Sequence, residues 1–216
     1  MLQELAYISE WIAAIAALIF YKKYKHTPIK TILWILWITV AMESCARIPA
    51  IFIQETNHLY YNCYLITVFP LLFYTIYKHT LAPKRKKSIA ILSSIAVVIM
   101  IVRALNSPFS TAFMIYMHSL AMITLLITLL IYAIDLLKDT EPIVLRYRLE
   151  LFVFTGFLLF GISYVPLSFF VTGNSVYELS REALDILYSI QMIIVLFMYL
   201  LFVFGFVWSR PAARMN

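Results

Sequence analysis

Hydrophobic positions fill this chain in seven long continuous blocks, separated by short polar stretches that carry most of the charge. The blocks lie near Leu5–Tyr21, Pro28–Ile51, Leu59–Lys78, Ser88–Leu105, Phe109–Leu137, Glu150–Val171 and Arg181–Trp208. Helices of about 20 apolar residues cross a bilayer. None of the blocks alternates apolar and polar residues, as a membrane barrel strand does. The pattern predicts an all-α polytopic membrane protein with seven transmembrane helices. The connections are too short to hold a second folded unit. Residues 1–216 are therefore expected to form a single seven-helix transmembrane domain.

Composition strengthens this picture. The chain is 63% hydrophobic and 13% charged, with a mean hydropathy of +0.90, whereas a soluble domain carries about a quarter charged residues. Met1-Leu2-Gln3-Glu4 lacks the basic region of a cleavable leader, so the first block is expected to be kept as a helix.

Loop charge sets the orientation. Segments 22–30, 78–87, 135–150 and 210–214 hold 14 of the 17 basic residues and four acids, a net of +10. The other ends of the blocks hold Arg47, Arg103, Arg181 and seven acids, a net of −4. The positive-inside rule then places the amino terminus outside and the carboxy terminus in the cytoplasm, as an odd number of spans requires. The expected location is a cytoplasmic membrane of bacterial type. A pI near 9.3 raises nucleic acid as a partner, but these lysines flank spans, where they meet anionic headgroups. The bilayer is the expected partner and nucleic acid is not.

Polar groups inside the blocks gather toward the outer side, and charge in hydrocarbon is costly enough to mark function. Glu43 and Arg47 are four apart on the second span and share a face. Either they form an ion pair that orders the bundle, or they wall a pocket. On the third span Tyr60, Tyr64, Thr67, Leu71 and Tyr74 make a stripe beside Asn62 and Cys63. Tyr60 and Tyr64 lie at the depth of the charged pair. His118 stands alone on the fifth span. Glu10, Tyr164, Asp185, Tyr188 and Gln191 complete the outer set, and Arg103 is expected to snorkel to the interface. The ligand-binding candidates are Glu43, Arg47, Tyr60, Asn62, Tyr64, His118, Tyr164, Tyr188 and Gln191. The inner half is apolar, and Asp135, close to Lys138, is expected at the interface. No chain of ionisable groups crosses the bilayer, which argues against a proton pump. Cys45 and Cys63 lie at comparable depth. A bridge is geometrically open to them, although packing as small apolar residues is the preferred reading.

Several chemistries are excluded by absence. There is no Gly-rich phosphate loop, no His-Glu-x-x-His and no Gly-x-Ser-x-Gly, so no catalytic residue is assigned. Histidine spacing offers no metal site. The last span lacks a lysine, which rules out a retinal Schiff base of the microbial rhodopsin kind, and no cofactor is expected. Arg47-Ile-Pro49-Ala-Ile-Phe52 aligns with Tyr164-Val-Pro166-Leu-Ser-Phe169 at an offset of 117. That repeat would suit a 3+1+3 layout of the kind found in transporters with parallel repeats, though the Pro-Gln dipeptide of PQ-loop transporters does not occur.

With its seven-helix layout, aromatic richness and the Gly156-Phe-Leu-Leu-Phe-Gly161 stretch, the full chain resembles small uncharacterised bacterial seven-helix proteins of sensor-module type, often found alongside histidine kinases. The resemblance implies a non-enzymatic sensor or receptor-like module, and no site residue is carried over from it. A small molecule or lipid would bind from the outer face. A cytoplasmic protein would read the result, with residues 138–148 as a docking segment. The alternatives are a small-solute transporter, flexing at Pro70, Gly156, Gly161 and Pro166, and an accessory subunit of a larger membrane complex.

Overall fold

The structure is a computed structural model that describes residues 1–52, 57–109, 114–138, 148–172 and 180–210. Those residues form eight helices and no strand: α1 (Leu2–Ile19), α2 (Tyr21–Tyr24), α3 (Thr31–Phe52), α4 (His58–His79), α5 (Pro83–Leu105), α6 (Ile115–Leu137), α7 (Leu149–Thr172) and α8 (Arg181–Trp208). A 3-10 turn at Pro28–Lys30 leads into α3. All but α2 are apolar and long enough to cross a bilayer, seven candidate spans in all, compatible with an integral membrane protein. Most of the 138–148 docking segment lies outside the described residues.

Helix limits follow local chemistry. α5 begins at Pro83, five residues before the apolar block, because proline is tolerated at a first helical position and the basic run after it is a good helix former. α8 starts at Ser180, whose hydroxyl accepts the Ala183 N–H at 3.2 Å, a standard N-cap. α6 starts at Ile115, later than the Phe109 limit read from hydropathy, because residues 106–109 form a turn after α5.

The helices form two compact units: residues 1–30 with 141–216, and residues 31–140. The 3+1+3 arrangement would instead group the first three spans and the last three. The grouping differs because α1 packs on α8 at the far end of the chain, and α6 packs on α4 and α5.

In the first unit α1, α7 and α8 pack through small residues. α1 buries Ala6, Ser9, Glu10, Ala13, Ala14, Ala16 and Ala17 and turns Leu5, Ile8, Ile12, Ile15 and Leu18 outward. That is the reverse of a soluble amphipathic helix. It fits lipid, where close backbone approach and not apolar burial draws helices together. α7 and α8 meet at two glycines. A Cβ on Gly156 would fall 2.6 Å from Phe202 Cε1, and one on Gly205 would fall 2.8 Å from Phe152 Cβ. The parallel ends of α1 and α8 are tied by Lys23. Its Nζ donates to the carbonyls of Phe206, Val207 and Ser209 at 2.9–3.0 Å, filling the unbonded end of α8. Partial burial holds the Lys23 pKa below the ordinary lysine value. Beside it, Tyr24 is buried against Phe206, and this burial raises its pKa, with Tyr21 adding to the effect.

In the second unit α4 is the hub, packed against α3, α5 and α6. Its core face presents Leu65, Val68, Phe69, Leu72, Phe73 and Ile76. Leu36 and Val40 of α3, Ala96 and Met100 of α5, and Met122 and Leu125 of α6 are buried in the same unit. Thr31 and Thr75 join hydroxyls at 2.5 Å, which sets the register of α3 on α4.

Two buried polar side chains hold the connections of this unit. Asp135, near the end of α6, is buried within the protein. It accepts the Leu81 N–H at 2.5 Å and the Ala82 N–H at 3.3 Å, and pairs with the Arg85 guanidinium. The turn leading into α5 is thereby pinned to α6. Asn62 does the same at the opposite end, donating to the Phe109 carbonyl at 2.7 Å and accepting the Met114 N–H at 3.1 Å.

Candidate functional site

The nine sequence-derived residues divide between the two units. Glu43, Arg47, Tyr60, Asn62, Tyr64 and His118 fall in the four-helix unit, and Tyr164, Tyr188 and Gln191 in the three-helix unit. Each set is described within its own unit.

In the four-helix unit, Arg47 stands two turns beyond Val40 on α3 and continues the buried Leu36–Val40 stripe toward the end opposite the basic turn. Its Nε lies 3.4 Å from Glu43 Oε1, and each side chain is 26% exposed. The Thr31–Thr75 contact fixes how α3 and α4 run past each other. Counting from it, Glu43 lies level with Cys63 and Arg47 level with Leu59. Tyr64 and Tyr60 are thus at the depths of the charged pair, and both are half-buried. His118 is placed from α4 in the same way. Its ring meets Phe69 edge-on at 5.6 Å, and Phe69 is five residues past Tyr64, about 7 Å deeper at 1.5 Å per residue. The residues thus occupy successive levels of the unit: Arg47 and Tyr60 outermost, Glu43 and Tyr64 about one turn below, His118 beside Phe69 about 7 Å deeper than Tyr64. Below them α6 buries Met122, Leu125 and Leu129, an apolar floor.

Asn62 belongs to this level but not to an open face. Both ends of its amide are engaged with backbone, so it positions the start of α6. The tyrosine stripe of α4 runs beside the core face, half-buried at Tyr60, Tyr64, Thr67 and Leu71 and exposed at Tyr74. Cys45 and Cys63 are free thiols.

In the three-helix unit, Tyr164 rests on Phe160 at 5.7 Å, and Tyr188 points outward among the exposed Ile186, Ile190 and Ile193. Gln191 is different. It is 4% exposed, and neither its Nε2 nor its Oε1 has a hydrogen-bond partner among the described residues. An unpaired buried amide costs about 1–3 kcal/mol. Glu10 is likewise buried, on α1, which packs on α8.

The register of α3 on α4 sets the Glu43–Arg47 pair level with Tyr60 and Tyr64. Sequence reasoning missed Asp135 and Lys23 as fasteners. The signal for Asp135 was an acid at the last turn of an apolar helix, with a basic turn elsewhere in the chain that needed a counter-charge. Among the described residues no three His, Cys, Asp or Glu side chains come together to hold a metal. No protein-family model, curated protein or solved structure matches this chain.

Proposed function

We propose that the protein is a non-enzymatic integral membrane sensor or receptor-like module whose ligand meets Arg47, Glu43, Tyr64 and His118 of the four-helix unit. One observation carries this reading. Where charge fastens the fold, as at Asp135, the carboxylate is buried and takes backbone N–H groups together with Arg85. Glu43 and Arg47 instead meet at 3.4 Å with a quarter of each side chain accessible. A pair of that kind can exchange its partner for a ligand bearing both signs, such as a zwitterionic solute or headgroup. Its rearrangement on α3 is the change that a cytoplasmic partner would read, since a ligand moves an equilibrium only through differential contacts. The amino terminus lies outside in this reading, as the loop charges favour.

The transporter alternative leaned partly on Gly156 as a flex point. Phe202 and Met198 crowd that position, which favours a packing role for Gly156.

The test is a thermal-shift screen of the purified protein with zwitterionic solutes, beginning with glycine betaine and phosphoethanolamine. A member of the panel should raise the melting temperature of the wild type but leave Arg47→Gln and Glu43→Gln unmoved. Equal shifts in all three would remove the pair from the site. Uptake into proteoliposomes that depends on Glu43 would replace the sensor with a transporter.

A further inference from the structure

A second feature of the four-helix unit lies at its basic end, away from the Glu43–Arg47 pair. An open cleft of about 360 Å³ runs between α4 and α5, lined by Pro70, Tyr74 and Tyr77 on one side and Ala90, Ser94 and Val98 on the other. Its volume is at the lower end of the range for ligand pockets, about 300–1,000 Å³. The small side chains of α5 keep the cleft open. Pro70 removes one rung from the α4 hydrogen-bond ladder at its deep end. From Tyr77 to Pro70 the cleft extends about 10 Å into the apolar span at 1.5 Å per residue.

Charge gathers at the mouth. The Lys86 ammonium lies 5.1 Å from the Tyr77 ring centroid, and Lys78 lies 5.5 Å from that of Tyr74. Both rings line the cleft, so two cations are held over its walls. Lys84 and Lys87 are exposed on the same turn of α5. Arg85 alone is neutralised, by Asp135. Among the described residues no acid pairs with Lys78, Lys84, Lys86 or Lys87. An apolar slot ending beside four lysines that no acid pairs among the described residues matches one occupant, a molecule with an anionic head and a hydrocarbon tail.

We propose that the α4–α5 cleft binds an anionic phospholipid, with one acyl chain lying against Pro70, Tyr74 and Ser94 and the headgroup phosphate on Lys78 and Lys86. Basic pockets between transmembrane helices bind anionic headgroups in this way. The proposal rests on the membrane-spanning reading of the seven helices, not on the ligand of the Glu43–Arg47 pair.

Native mass spectrometry of the purified full-length chain tests it. Phosphatidylglycerol and phosphatidylcholine with identical acyl chains would be added in parallel. Phosphatidylglycerol should be retained at least ~5-fold better, the effect of about one ammonium contact and so a lower bound for two. The double variant Lys78→Gln/Lys86→Gln should remove that preference, and Ser94→Phe, which fills the slot, should lower retention of both lipids. Should Ser94→Phe not fold, a photoactivatable acyl chain on phosphatidylglycerol should instead label the 70–77 segment of the wild type. Equal retention of the two lipids, unchanged preference in the lysine variant, or a dimer that forms as lipid leaves would each overturn the proposal. Alkaline carbonate extraction separates the two failures. A chain that washes off membranes fails the spanning reading, and one that stays embedded with no lipid preference fails only this proposal.

Discussion

The three-helix and four-helix units hold apolar helices together with different materials. In lipid the tails are as apolar as the side chains, so burial alone supplies little attraction between helices. The three-helix unit answers with close approach: an alanine face on α1, and glycines on α7 and α8 that seat Phe202 and Phe152, with Lys23 closing the end of α8. The four-helix unit uses bulky aromatics and leucines and adds polar fasteners at both ends, Asp135 at one and Asn62 at the other. The first strategy depends on how near two backbones come, the second on whether a few buried hydrogen bonds stay complete. They should therefore fail under different substitutions.

The largest effect is expected at Asp135. Asp135→Ala strands the Leu81 and Ala82 N–H groups and leaves Arg85 without its counter-charge. Breaking a buried pair costs about 3–5 kcal/mol, and because Arg85 is a quarter exposed the low end of that range is expected. Denaturant titration of the purified protein should show the loss, and proteolysis should cut first in the turn before α5. An unchanged titration would mean that the polar fasteners do not hold this unit.

Gly156→Val comes next and tests the other strategy. Even the Cβ meets Phe202 and Met198 at 2.6 and 3.0 Å, and overpacking costs about 1–3 kcal/mol. Loosening should be confined to α7 and α8 in hydrogen exchange, with the α4–α5 turn unaffected. Coupled loss in both regions would erase the contrast between the units.

The smallest effect is expected at Glu43. A partly exposed i,i+4 pair contributes about 1 kcal/mol or less, so Glu43→Gln should barely move the denaturation midpoint while abolishing any ligand-induced shift. A large destabilisation would make the pair a third fastener and remove the ground for reading it as a site.

Much of the architecture was legible along the chain because span length and loop charge are local properties. Seven candidate spans follow from runs of residues within single helices, whereas the basic run Pro83–Lys87, read as a turn, is the first part of α5. What was not legible is pairing. The neighbour of Asp135 in sequence is Lys138, but its partners are Leu81, Ala82 and Arg85, some fifty residues earlier. The matched prolines of spans two and six suggested a 3+1+3 grouping, but shared composition in so apolar a chain does not say which faces meet. That Phe202 and Met198 stand against Gly156 is likewise invisible within one helix. For the site, the sequence identified its levels on α3 and α4 but could not tell Asn62, which is engaged with backbone, from Tyr64 beside it.

The alanine face of α1 has a consequence in time. Its partner α8 begins about 160 residues later, so at synthesis rates of about 5–20 residues per second α1 waits on the order of ten to thirty seconds. Throughout that interval Glu10 and the small residues around it lack the surface that will bury them. Packing of α8 on α1 ends that exposure.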